Sequence, residues 1–153
     1  MGFADTSWKV GTAQFGYGDG DEATVVSFGP SSTSKFITTY FRRTFDVAAG
    51  STVTGVDLQL LRDDGAVVYL NGTEVARSNM PTGTVTSATR AVTNVEGSAE
   101  SAWNPLAVAA SAVHAGTNTI AVEVHQQWAG SSDLSFDLSM AVTTVPSTST
   151  TIA

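Results

Sequence analysis

The chain has no cysteine, which excludes disulfide staples, thiolate nucleophiles and cysteine-held zinc or iron–sulfur centres. With only 2 histidines, a multi-histidine metal site is disfavoured as well. Positive charge is scarce: 7 Lys and Arg stand against 14 Asp and Glu, for a net charge of −7. A nucleic-acid binder neutralises phosphates with a basic face, so neither nucleic acid nor an anionic membrane is expected as a partner. A cation is the more natural ligand. No apolar run approaches the roughly eighteen residues of a membrane span, so no membrane insertion is expected. Met1-Gly2-Phe3 lacks the charged-then-apolar pattern of a signal peptide, and Met1-Gly2 reads as an added start. Charged residues are only 14% of the chain, and 22 Thr and 17 Ser supply the polar surface in their place. Hydroxyl and β-branched side chains in that proportion point to an all-β module of a secreted or cell-surface protein. At 153 residues, 42% of them apolar, the chain is expected to build one domain around one core.

Strand signals fill the sequence. Ala23 to Phe28 is a β-branched run closed by Gly29-Pro30. From Ile37 the alternation puts Ile37, Thr39, Phe41, Arg43, Phe45 and Val47 on one face, the expected core face, where a buried Arg43 would need an acidic or carbonyl partner. Val56, Leu58 and Leu60 form the next half-buried strand, before Arg62-Asp63-Asp64-Gly65 turns the chain. Ala66 to Leu70 and Thr73 to Ala76 flank Asn71-Gly72, the pair that suits a two-residue type I′ hairpin because both central residues need positive φ. Residues 79–103 read as a long loop with one short strand near Thr84 to Thr86. Asn104 to Val113 fits a strand or a short helix. Ile120, Val122 and Val124 point inward, as do Leu134, Phe136, Leu138 and Met140. This pattern predicts an all-β, two-sheet antiparallel sandwich over 3–142, with 143–153 a Ser/Thr-rich linker or tail.

Three segments also match one known pattern in order. Thr39-Tyr40-Phe41-Arg42-Arg43-Thr44-Phe45, Val68-Tyr69-Leu70-Asn71-Gly72-Thr73-Glu74-Val75 and Ala115 to Val124 resemble the sugar-binding jelly roll of glycoside hydrolase family 2 enzymes. Trp8 through Tyr17-Gly18-Asp19-Gly20-Asp21-Glu22 resembles the galactose-binding-like accessory domain of bacterial secreted metallophosphoesterases, spore-coat-like kinases and cell-surface proteins. The resemblance implies jelly-roll topology and a non-catalytic module beside a catalytic or anchoring domain. It also implies a further strand-forming segment ahead of the position of Phe3, whose place is here either open or taken by a later segment.

Two acidic clusters are candidate calcium sites, because calcium takes six to eight hard oxygens and both clusters supply them locally. Asp19, Asp21 and Glu22 lie among glycines that let a loop fold round a cation. Asp63 and Asp64 resemble the Asp-Asp-Gly segment of yeast-adhesin lectin domains related to anthrax protective antigen, where adjacent aspartates hold calcium that contacts sugar hydroxyls. The plain alternatives are a solvated acidic loop and an Asp-opened turn. Trp103 in a polar loop and Trp128 after His125-Gln126-Gln127 could offer rings to a pyranose face, or could cap the sandwich. Trp8 and Phe15 read as core or edge cover. The expected carbohydrate contacts are therefore Trp103, Trp128, His125, Asp63 and Asp64, with a polysaccharide or glycan as partner. Enzyme activity is not expected: adjacent Asp63 and Asp64 cannot flank a scissile bond, and no nucleophile elbow, phosphate loop or metalloprotease helix is present. The other reading is a spacer or interaction module with no sugar ligand.

Overall fold

The computed structural model describes residues 4–146. Its strands are β1 (Phe15–Tyr17), β2 (Thr24–Val25), β3 (Thr38–Val47), β4 (Ser51–Arg62), β5 (Gly65–Leu70), β6 (Thr73–Ser78), β7 (Asn104–Ala107), β8 (Gly116–His125) and β9 (Leu134–Pro146). They form a five-stranded sheet in the order β2-β1-β9-β4-β7 and a four-stranded sheet in the order β3-β8-β5-β6. Every pairing is antiparallel except that of β1 with β2. From β3 to β9 the chain passes back and forth between the sheets, as a jelly roll does. No helix among the described residues is long and apolar enough to cross a membrane.

The two sheets bury the side chains that alternation assigns inward. Leu58 and Leu60 from β4 and Leu134 and Phe136 from β9 meet Ala66, Val68 and Leu70 from β5 and Ile120, Val122 and Val124 from β8. Leu138 and Met140 are half-buried against the same cluster. Phe136 stacks on Phe41 with ring centroids 4.2 Å apart, and Phe15 tilts onto Phe41 at 5.2 Å. The hairpin forms as expected: Leu70 pairs with Thr73, and Asn71 and Gly72 have φ of 53° and 83°. Asn71 then locks the turn to β8, its Nδ2 donating to Asn118 Oδ1 at 2.9 Å while its Oδ1 accepts the Thr119 N–H at 3.0 Å.

β5 is buried on both faces. Its outer residues Val67 and Tyr69 lie under Met80, Val85 and Ala91, a second small core. The segment after β6 therefore folds over the outside of the four-stranded sheet and forms no strand at Thr84 to Thr86. Met80, Val85 and Ala91, spaced along it, pack on Val67 and keep that face of β5 from water.

Other boundaries move. Only Thr24–Val25 of the Ala23 to Phe28 run pairs as strand. Asn104 to Val113 contains both expected forms, with β7 followed by a 3-10 turn at Ala110–Ala112. Arg43 is exposed, because β3 is the outermost strand of its sheet and a long side chain there turns past the edge into water. Thr143 to Pro146, assigned to the linker, continue β9 by pairing with Ser51 to Gly55. Backbone bonding carries that pairing where little area is buried. Residues 147–153 of the expected linker lie outside the described residues.

Candidate functional site

Strand register gathers almost every candidate at one end of the sandwich. β4 ends there at Arg62, β6 ends there at Ser78 and β8 at His125, while β5 and β9 start there. The β1–β2, β4–β5, β6–β7 and β8–β9 connections carry Asp19, Asp21 and Glu22, then Asp63 and Asp64, then Glu96 and Glu100, then Trp128 and Asp133. More than half of the chain's 14 acidic residues thus converge. Two cations lie nearby, each held by neutral oxygens. Lys35 Nζ donates to the Ser131 and Ser132 carbonyls and lies 5.0 Å from the centroid of the Tyr17 ring. Arg62 Nε donates to Ser78 Oγ at 3.0 Å.

Asp63 and Asp64 are not an exposed turn. They are 2% and 1% exposed, because both are wedged between the β8–β9 loop and the segment that covers β5. Asp64 Oδ1 accepts the Val95 N–H at 2.6 Å and its Oδ2 accepts the Gln127 N–H at 2.8 Å, so Asp64 ties two loops together. Asp63 is different: its N–H donates to the Ser135 carbonyl at 2.9 Å, but its Oδ1 is buried with no partner. Burial, then the hydrogen bond and charge of Asp64, then Asp133 and Glu100, push the Asp63 carboxyl up to about 9. Asp63 thus holds its proton more tightly than an ordinary aspartate. As expected sugar contacts, Asp63 and Asp64 fail on access.

The exposed and half-buried carboxylates form two overlapping groups. Asp19, Asp21 and Glu22 are one, and Asp19, Glu100 and Asp133 are the other; within each, one oxygen from every member lies within 4.8 Å of the others. In the first, Glu22 is already used: its two oxygens accept the Asp19 and Gly20 N–H groups at 3.0 and 3.1 Å. In the second, partial burial and then, beyond their local hydrogen bonds, the neighbouring carboxylates raise both Asp19 and Glu100. Ser135 Oγ donates to Asp19 Oδ2 at 2.9 Å, which fixes that side chain over the start of β9.

Glu100 and Asp133 also line an open cleft of about 480 Å³, together with Asn94, Val95, Glu96, Trp128, Gly130, Ser131 and Ser132. Trp128 is 53% exposed. Its six-membered ring lies over Gly130 so closely that a Cβ there would fall 2.5 Å from Cη2. The glycine therefore sets the attitude of the ring. Trp103 is 46% exposed but lies outside the cleft lining. Trp8 is exposed at 37%, whereas Phe15 packs against the core.

No family model matches this chain. No curated protein matches it either. Among solved structures, the Streptomyces avermitilis α-L-rhamnosidase complexed with L-rhamnose is 22% identical, with a TM-score of 0.46, over 76% of this chain and 10% of that one. The chain thus spans a tenth of that enzyme's length.

His125, expected at the surface facing a sugar, is 0% exposed. The covering segment closes over it, and its Nδ1 lies 2.7 Å from the Thr89 carbonyl and 3.0 Å from Thr38 Oγ1. A carbonyl can only accept, so Nδ1 carries a hydrogen. Its Nε2 faces Glu123 Oε2 at 3.5 Å, and Glu123 Oε1 accepts the Tyr69 hydroxyl at 2.5 Å. His125 is thus a buried clamp on the covering segment. Sequence reasoning missed Glu100, Asp133 and Asn94 because each is a single polar residue in a weakly patterned loop. Asp133 did carry a signal, since it directly precedes β9 as Asp63 follows β4 on the neighbouring strand.

Proposed function

We propose that the chain is a non-catalytic carbohydrate-binding module of a secreted multidomain protein, carried beside a catalytic domain. The observation that supports this is the cleft in which half-exposed Trp128, the outer edge of its ring packed against Gly130, shares its walls with Asn94, Glu96, Glu100 and Asp133. A pyranose has an apolar C–H face that lies on an aromatic ring and a rim of hydroxyls that need convergent acceptors and donors. The ring supplies the first, and the carboxylates and the Asn94 amide supply the second. The cleft is open rather than enclosed, which suits a unit within a polysaccharide more than a small molecule that must be surrounded.

A glycan microarray probed with the wild-type chain, with Trp128→Ala and with Trp103→Ala tests the reading. Glycans bound by the wild type should be lost, or weakened at least about tenfold, in Trp128→Ala, since removing a stacking ring forfeits on the order of 1.4 kcal/mol or more. Trp103→Ala should keep them. Equal binding by the wild type and Trp128→Ala would overturn the assignment of this cleft, and no binding to any glycan would overturn the carbohydrate reading.

A further inference from the structure

The two edges of β9 are not alike. One edge pairs with β4 from Phe136 to Pro146. On the other edge β1 pairs only with Leu134 to Phe136, and among the described residues no strand continues that ladder. Hydrogen-bond parity fixes which groups this leaves open. The Asp63 N–H donates to the Ser135 carbonyl at 2.9 Å, so Ser135, Asp137, Ser139 and Ala141 bond toward β4. Leu138, Met140 and Val142 therefore turn their N–H and C=O groups to the vacant side. There the Leu138 N–H donates to Asp137 Oδ1 at 2.7 Å, a local substitute for a strand partner. Side-chain burial changes at the same place. On the inward face of β9, Leu134 and Phe136 are 0% and 5% exposed where β1 flanks them, whereas Leu138, Met140 and Val142 are only half-buried. Phe41 of β3 touches both Phe15 and Phe136, so β3 lies over β1 as well as β9. Beyond Phe15 that overhang continues to Val47, and Phe45 on it is half-buried too.

We propose that this slot takes one extended segment of another polypeptide as an added strand, antiparallel to β9 and in line with β1. In the register that Phe15 and Phe136 begin, every second residue of the guest pairs with Leu138, Met140 or Val142 and turns its side chain inward beside theirs. The recognised pattern is thus about five residues with apolar side chains at alternate positions. The guest's carbonyl takes over the Leu138 N–H and frees Asp137, on the outer face, for a basic side chain; in a chain of net charge −7 a cationic guest is favoured over an acidic one. The slot is one strand wide, about 4.8 Å, because β3 is the outermost strand of its sheet. A second sandwich joined edge to edge along β9 would bring its own β3 into the same space. The chain's own leading segment does not match the pattern: the register carried back from Phe15 sets Ala13, Gly11 and Lys9 inward, and residues 6–12 lie exposed instead. From Leu138 to Val145 the edge has no proline and no lysine, the residues that turn a strand away. The slot lies apart from the Trp128 cleft and needs no sugar.

The test uses the full chain without any glycan and a blocked peptide in which valine alternates with lysine and threonine, with amide hydrogen exchange read by NMR. In the free protein the amides of Met140 and Val142 should exchange at least tenfold faster than those of Ser139 and Ala141, which β4 holds. Saturating peptide should slow Met140 and Val142 at least tenfold and leave Ser139 and Ala141 unchanged. Two N-methylated peptides separate strand addition from general adhesion. Methyl groups on the valine nitrogens, which face β9, should abolish binding, while methyl groups on the intervening nitrogens should leave it within about threefold. Met140→Lys places a charge in the slot without touching the β4 ladder. It should weaken the peptide at least tenfold while amide protection in β4 and β8 stays that of the wild type. Failure of the wild type to bind the peptide would overturn the proposal, as would equal binding of the two methylated forms. Slow exchange at Met140 and Val142 in a free chain that sediments as a dimer would assign the edge to a second copy, and in a monomer it would show the edge already filled; either result overturns it.

Discussion

Asp63 and Asp64 are adjacent in sequence and opposite in role. Asp64 is a strut, with both oxygens committed to amides of two loops, while Asp63 holds a proton that its surroundings make costly to release. The consequence for stability has a definite sign. An ordinary aspartate loses its proton near 3.8, and in the folded chain Asp63 keeps it to about 9. Between those values the folded state holds a proton that the unfolded state has released, so the contribution of Asp63 to stability is full below the lower value and is lost as pH rises through the upper one. In chelator, the melting temperature of the wild type should therefore drop between pH 5 and pH 9 more steeply than that of Asp63→Asn, which has no proton to lose. Parallel curves for the two proteins would show that Asp63 titrates normally. None of this was legible beforehand: Asp-Asp-Gly is a turn signal by composition, and only the loops that close over it turn an exposed pair into a buried one.

At the scale of elements, short-range chemistry was the most readable. Asn71-Gly72 demanded positive φ at two positions and has it. Gly72 has nothing within 4 Å of where a Cβ would sit, so a substitution there suffers from backbone conformation alone. Gly72→Val should lower stability by about 1–3 kcal/mol, measured by denaturant melts, because a β-branched residue is strained at that φ; an unchanged midpoint would count against the turn. Alternation located β4, β8 and β9 for the same local reason, since one residue of slip would place their apolar side chains in water. The covering segment over Val67 escaped because it has no period. The sign was elsewhere, in β5 itself: Ala66 to Leu70 is apolar without interruption, and such a run belongs to a strand covered on both faces.

For the whole molecule, the two sheets share one core, and Phe136 stands at its crowded centre, stacked on Phe41 and beside Phe15. Phe136→Ala should cost about 3–5 kcal/mol in denaturant unfolding. A loss below about 1 kcal/mol would mean that the cavity closes or that the β9 phase is reversed. The candidate site was half readable at this scale. Asp19 and Trp128 were visible as residue types, but their meeting with Glu100 and Asp133 depends on strand order, which periodicity does not encode.

The course of β9 has a practical bearing. It begins at Leu134 beside the cleft and runs 13 residues to Pro146, a distance of about 40 Å at the usual rise of an extended strand. Whatever is joined after Pro146 leaves from the far end of the sandwich, with the full height of the domain between it and Trp128. A protein anchored to a sensor surface by the face around Ser51 and Pro146 would thus stand with the cleft uppermost, open to a long polymer approaching from solution.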